Sequence, residues 1–88
     1  MHIQKGNVMI YRINGRKIEV KPGDALIMIT KERIEGKFSQ TIRTKWVVKE
    51  TYRHHCLATR PAQLGIIKTC FSVWELANDC ERIVPGEA

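Results

Sequence analysis

Residues 41–51, TIRTKWVVKET, alternate along the chain between two kinds of side chain. Successive side chains of a β-strand point to opposite faces, whereas one face of a helix recurs every 3.6 residues. The alternation therefore predicts a strand with one face in a core and one in solvent. The core face holds Ile42, Trp46 and Val48, and the solvent face holds Arg43, Lys45, Val47 and Lys49.

The N-terminal part of the chain has the signals of a hairpin. Asn14-Gly15 separates the apolar-rich runs 8–13 and 16–20, and both residues tolerate the positive φ of a type I′ turn. A second turn is predicted at 21–24, KPGD, where Pro presets φ and Gly supplies an unusual backbone angle. The run 25–30, ALIMIT, is nearly continuous in apolar residues, which predicts a buried strand.

The segments after this strand are less uniform. Residues 31–40 are polar with a central glycine, so we predict a recognition loop or a plain connector there. The run 52–59 is predicted to be extended after a bend or bulge near Glu50-Thr51. A connection at 60–65 should lead to a returning strand at 66–71.

A short helix is predicted near the C-terminus. Ser72 and Glu75 have the spacing of a capping box, so the helix should run from about Val73 to Asn78. Val73 and Leu76 should share its buried face, which Trp74 and Ala77 would widen. From Asp79 onward we expect the chain to fray.

These elements predict one small domain over residues 1–88. At 88 residues the core is thin, but 43% hydrophobic and 27% charged residues are globular proportions. Short strands, tight turns and one helix predict an all-β or mainly β fold, namely a small SH3-like five-stranded barrel with a short C-terminal helix. An OB-like barrel is the second choice.

The charge is unevenly distributed. Residues 1–71 hold fourteen Lys or Arg against five Asp or Glu, whereas residues 72–88 hold one basic residue and four acidic ones. A basic body attracts polyanions and acidic protein surfaces over a long range. Nucleic acid or an acidic protein surface is therefore the expected partner, and both a monomer and a homodimer are compatible with the sequence.

The predicted binding residues follow from the cationic strand face. A row of cations can track a phosphate backbone, and a solvated edge kept soluble by its charge is the simpler alternative. Trp46 and Trp74 are expected in the core, which leaves Tyr11 and Phe38 as candidate exposed rings for stacking. The candidate binding residues are Arg43, Lys45, Lys49, Arg53, His55 and Phe38.

Catalytic, cofactor and metal sites have little support in the sequence. His54, Cys56 and Cys70 form a loose cluster, but no close Cys or His pair has the spacing of a zinc site. No phosphate loop, dinucleotide fingerprint or nucleophile signature is present. We therefore predict a protein that is not an enzyme and has no cofactor. Without a signal peptide or an apolar run of about 18 residues, we expect a cytoplasmic protein that does not enter a membrane.

Residues 52–77 have a recognisable order of residues. Tyr52 and His54 precede a turn, Gly65 opens a strand that ends at Cys70-Phe71, and a helix begins with Trp74-Glu75-Leu76. This order resembles the C-terminal part of small uncharacterised phage and mobile-element proteins of Gram-positive bacteria. The resemblance implies an origin and attaches no activity.

Two functions are expected from these features. The first is a small non-enzymatic module that binds nucleic acid or a nucleoprotein complex through the basic strand face. The second is a protein-directed inhibitor or adaptor, for example of the anti-defence or anti-CRISPR type, that covers a surface of a host protein.

Overall fold

The Asn14-Gly15 turn joins the first two strands in a computed structural model that describes residues 8–34 and 38–86. Side chains are described for these residues except 32–39. Asn14 and Gly15 have φ angles of 51° and 80°, the left-handed pair that a type I′ turn requires. They join β1 (Met9–Ile13) to β2 (Arg16–Val20) in an antiparallel pair, which confirms the predicted hairpin.

Five more strands and one helix follow this hairpin within the described residues. They are β3 (Ala25–Ile34), β4 (Phe38–Thr51), β5 (His55–Ala62), β6 (Gly65–Ser72), α1 (Val73–Asp79) and β7 (Cys80–Val84). β1 and β2 form a two-stranded sheet, and the others form an antiparallel sheet of order β6-β5-β4-β3-β7. The prediction of a mainly β fold with one short helix is confirmed. The predicted SH3-like five-stranded barrel is not confirmed, because the sheets are not closed and β6 and β7 lie at opposite edges.

The loop predicted at 31–40 is largely wrong. β3 continues to Ile34, and β4 already begins at Phe38. The two strands pair without interruption from Ala25↔Val47 to Ile34↔Phe38. Cross-strand hydrogen bonding therefore keeps residues 31–34 and 38–40 extended where the local composition favours a loop, and residues 35–37 lie outside the described part of the chain.

The C-terminal helix is confirmed together with its cap. Ser72 Oγ accepts a hydrogen bond from the Glu75 backbone N–H at 3.2 Å, and Glu75 Oε1 accepts one from the Ser72 N–H at 2.8 Å. Leu76 is buried and Val73 packs against the core, as expected. Trp74 is 77% exposed, so its predicted place in the core is wrong. Its position next to Val73 on the helix turns its side chain by about 100° from the buried direction.

The predicted fraying after Asp79 is also wrong. β7 pairs with the free edge of β3, and Ile83 packs against the core. The Gly86 N–H donates a hydrogen bond of 2.9 Å to Asp24 Oδ1, and Lys21 N–H donates one of 3.0 Å to Asp24 Oδ2. The predicted turn at 21–24 therefore forms and also anchors the C-terminal segment.

The core lies between the inner face of the five-stranded sheet and a cover made by the β1–β2 hairpin and α1. Tyr11 belongs to this core at 7% exposure, so it is not the exposed ring predicted from the sequence. Trp46 packs against the core and meets Phe71 edge-on, with ring centroids 5.2 Å apart. The core cluster consists of Met9, Tyr11, Val20, Leu26, Met28, Val48, Cys56, Ala58, Phe71 and Leu76.

Candidate functional site: the outer face of the sheet

β4 divides its side chains between the two faces of the sheet as its sequence predicts. Trp46 pairs with Leu26 on the inner face, and Lys45 pairs with Ile27 on the outer face. Arg43 and Lys45 are both exposed. Neighbouring positions on one strand face lie roughly 6.6–6.8 Å apart. The two cations are therefore adjacent on the outer face.

A bulge lies in β4 at Lys49, close to the predicted bend. Val48 pairs with Ala58 and Glu50 pairs with Leu57, so Lys49 is the extra residue. Lys49 and Glu50 are consequently both exposed, which interrupts the strict alternation. Lys49 remains beside the outer face, about 13 Å along β4 from Lys45 by the rise of a strand.

Arg53 and His55 do not continue the row along β4. The strand ends at Thr51, and Tyr52 N–H donates a 2.8 Å hydrogen bond to His55 O, which closes a tight turn. Arg53 is exposed within this turn. His55 instead begins β5, where it is exposed and pairs with Ser72.

Tyr52 and His55 form an exposed ring pair at this end of the sheet. Their rings stack with centroids 4.7 Å apart, so one face of the imidazole is already covered. Tyr52 donates a hydrogen bond from its hydroxyl to Glu50 Oε1, which raises the pKa of the tyrosine. Phe38, the other predicted binding residue, begins β4 in the backbone, but its side chain lies outside the described residues.

Strand register adds cations to this face that sequence reasoning missed. Lys68 on β6 pairs with Thr59, and Arg82 on β7 pairs with Ile27. The alternation of residues in 66–71 was enough to place Lys68 on the outer face. Arg82 could be placed there only if β7 had been recognised as a strand. We call the outward and exposed cations of the five-stranded sheet the basic face: Lys31, Arg43, Lys45, Lys49, Lys68 and Arg82.

One ion pair neutralises part of the basic face. Arg43 Nε donates a hydrogen bond of 2.8 Å to Glu81 Oε1. This contact raises the pKa of Arg43 and lowers that of Glu81. The other five cations form no ion pair with any of the described side chains.

Apolar side chains fill the spaces between these cations. Ile27, Ile29 and Val47 are half-buried on the outer face, and none of them belongs to the core cluster. Aromatic stacking on this face is limited to its Tyr52–His55 end among the described side chains. The face therefore offers charge and flat apolar area, with few rings on which bases could stack.

The inner face carries a second polar feature beside α1. The Arg60 guanidinium lies 5.2 Å from the centroid of the Trp46 ring, and its Nε is buried without a hydrogen-bond partner among the described residues. Both residues border a cavity of about 300 Å³ that Glu75 and Asp79 also line. The two carboxylates make this cavity a poor site for an anion.

The cysteines do not form a reactive cluster. Cys56 pairs with Phe71 on the inner face, while Cys70 pairs with Leu57 on the outer face, so their side chains point apart. Burial raises the pKa of Cys56 to about 11, which keeps its thiol protonated and unreactive at neutral pH. Among the side chains that the structure describes, no three from His, Cys, Asp or Glu come close enough to hold a metal ion.

No helix in the described ranges has both the length and the apolar character needed to cross a bilayer. No family model, curated protein or solved structure matches this chain.

Proposed function

We propose that this protein is a small non-enzymatic module of phage or mobile-element origin that binds nucleic acid, alone or within a nucleoprotein complex, through its basic face. The observation that supports this proposal is the convergence of cations from four strands on a face that contributes nothing to the core cluster. The proposed binding depends only on the basic face, so it does not need the sheet to close into an SH3-like barrel. With nucleic acid as its ligand, we propose that it acts in the cytoplasm.

The spacing of the cations suits contact with a phosphate backbone. Ile27 pairs with both Lys45 and Arg82, so these two cations stand on either side of β3, roughly 10 Å apart. On the opposite side of β4 from β3, Thr59 of β5 pairs with both Val47 and Lys68, so Lys68 lies roughly 10 Å from Val47. Phosphate contacts of this kind fix the position of the ligand but carry little sequence information.

The scarcity of rings among the described side chains of the basic face sets the expected specificity. Base stacking contributes about 1–3 kcal/mol per base where aromatic platforms exist. Here binding would depend mostly on phosphate charge, so it should tolerate any sequence. With about four phosphate contacts, the affinity for duplex DNA should fall roughly a hundredfold between 50 and 200 mM salt.

The test is fluorescence anisotropy with a labelled mixed-sequence duplex and its single strand at several salt concentrations. The double variant Lys45→Glu, Lys49→Glu should abolish measurable binding. Arg43 is left unchanged because its reversal would also break the contact with Glu81. The matched control also reverses two exposed charges, with Arg16→Glu at the start of β2 and Lys21→Glu directly after its end. Absent binding at low salt, or equal losses in the control and the double variant, would rule out the proposal.

A second candidate is a protein-directed inhibitor or adaptor, for example of the anti-defence type. The half-buried Ile27, Ile29 and Val47 favour it, because apolar area between cations suits an acidic protein surface. A host partner from a Gram-positive lysate should then remain bound after nuclease treatment and be lost with the double variant. A partner released by nuclease supports the nucleic-acid function instead.

A further inference from the structure

The two edges of the five-stranded sheet are protected to different degrees against pairing with a further strand. β7 has five residues, and its pairing with β3 shifts register between Ile27 and Met28. β6 has eight residues that pair with β5 without a shift, from His55↔Ser72 to Ala62↔Gly65. Short strands, bulges and charges are the usual protection of a sheet edge. The long regular edge of β6 faces no other described strand.

The side chains of β6 leave this edge open to pairing. The strand GIIKTCFS contains no proline, and Lys68 is its one charged residue. Ile66 is 70% exposed, and Leu64 in the preceding turn is 100% exposed. Exposed apolar area beside unpaired backbone groups is a feature of surfaces that receive a partner strand.

A second copy of this chain is a poor occupant of the edge. Two-fold antiparallel pairing opposes residues of the same face, so the registers centred on Lys68 or Thr69 are the ones that use most of the strand. Both place the two Lys68 side chains directly or diagonally opposite each other, within roughly 8 Å. Such a dimer would also bring together two chains that each carry a net charge of +6 and therefore repel each other.

An acidic strand from another protein avoids both the repulsion between two Lys68 side chains and the repulsion between two basic chains. The β5–β6 register places Lys68 with Ile66 on the outer face and Ile67 with Thr69 on the inner face. A partner strand with carboxylates on the outer side would neutralise Lys68, and apolar residues on its inner side would cover Ile67. The matching sequence alternates acidic and apolar residues.

We propose that the free edge of β6 binds an extended acidic segment of a partner protein as an added β-strand. Backbone hydrogen bonds along the edge supply affinity. The alternation of carboxylate and apolar side chains supplies selectivity. This site lies along the edge of the sheet and shares only Lys68 with the basic face.

The probe is a capped, labelled peptide of alternating Glu and Val, about as long as the eight residues of β6. Anisotropy should report binding, and amide exchange should slow in β6. Lys68→Glu and Ile67→Lys should each weaken binding by about tenfold or more. Lys45→Glu is the control, since it alters the basic face and should leave peptide affinity within about twofold.

Two further peptides separate strand addition from simple charge attraction. A Glu-Val peptide that is N-methylated at alternate residues keeps its charge but loses backbone donors, so it should not bind. A Lys-Val peptide should not bind either. Equal binding of the N-methylated peptide, or no binding of the parent peptide, would overturn the proposal. Sedimentation of the free protein as a dimer that Ile67→Lys dissociates would also overturn it, because a second copy would then occupy the edge.

Discussion

Arg43 on β4 and Glu81 on β7 are joined across β3 by a hydrogen bond of 2.8 Å. Ile29 on β3 pairs with Arg43, and Glu81 stands at the register shift between β3 and β7. Because of this shift, Glu81 reaches a cation two strands away. The contact removes one charge from the basic face and connects the most C-terminal strand to the centre of the sheet.

Neutralising Glu81 should strengthen the binding of nucleic acid. In Glu81→Gln the guanidinium of Arg43 loses its anionic partner and becomes available to a phosphate. We expect the affinity for a DNA duplex to rise about threefold to tenfold at low salt. The slope of log affinity against log salt concentration should steepen by about 0.9, the value for one additional phosphate contact. Anisotropy titrations at several salt concentrations measure both quantities.

Asp79→Asn is the matched control for this variant. It changes the net charge equally, but Asp79 lies at the end of α1 beside the cavity on the inner face. Its effect on affinity should be no more than about twofold, as for a distant screened charge. Equal gains in the two variants would mean that net charge matters and the Arg43 contact does not.

The features that the sequence predicts correctly are those with a local physical cause. The type I′ turn needs only Asn14-Gly15, and the capping box needs only Ser72 and Glu75. The two faces of residues 41–51 follow from period two. The outward positions of Arg43 and Lys45 were therefore predictable. Lys49 is exposed at a bulge that interrupts the alternation, and Arg53 lies in the turn after β4, so neither position follows from the pattern.

The features that were missed depend on contacts between distant segments. Residues 31–34 are extended because β4 pairs with them, and β7 forms because the edge of β3 is free to accept it. Neither partner can be identified from the polar residues themselves. The open sheet has the same origin, since whether β6 meets β7 is decided by the packing of the whole chain.

The two tryptophans should contribute very differently to stability. Trp46 packs against the core, Phe71 and Arg60, so Trp46→Ala should lower the free energy of unfolding by about 3 kcal/mol. Trp74 is 77% exposed, so Trp74→Ala should change it by less than about 1 kcal/mol. Urea denaturation followed by circular dichroism compares them. Equal losses would contradict the exposed position of Trp74.

Asp24 should be an important polar residue of the fold. It is 5% exposed, and its carboxylate accepts hydrogen bonds from Lys21 N–H and Gly86 N–H. Asp24→Ala leaves these donors without their acceptor and should cost about 2 kcal/mol or more in urea denaturation. Asp24→Asn keeps one acceptor oxygen and should cost less. The proposed anchoring of the C-terminal segment is wrong if exchange of the Gly86 amide is equally fast in the parent and in Asp24→Ala.

The helix cap gives a smaller and more local prediction. Ser72→Ala removes the acceptor for the Glu75 N–H and should destabilise the protein by about 1 kcal/mol. Ser72→Asp restores an acceptor at the same position and should recover most of this loss. Urea denaturation measures the three proteins side by side. No recovery in Ser72→Asp would mean that Ser72 contributes something other than the cap.

Alkaline pH should destabilise the protein through Tyr11. Burial raises the pKa of Tyr11 from its usual 10 to about 12. Below pH 10 the phenol is neutral in both states and its contribution to stability is complete. Above pH 10 the unfolded chain loses the proton first, so stability falls as pH rises towards 12. Burial raises the pKa of Cys56 to about 11, and this thiol adds a loss of the same sign.

Tyr11→Phe isolates the share of Tyr11 in this loss. The variant cannot ionise at this position, so its melting temperature should fall less steeply between pH 10 and 12 than that of the parent. Thermal denaturation across this range gives the comparison, with Tyr52→Phe as the control at an exposed ring. Ultraviolet titration should also lose its most alkaline tyrosine transition in Tyr11→Phe alone. If the melting temperature of Tyr11→Phe fell as steeply as that of the parent, ionisation of the Tyr11 phenol would not be the cause of the alkaline loss of stability.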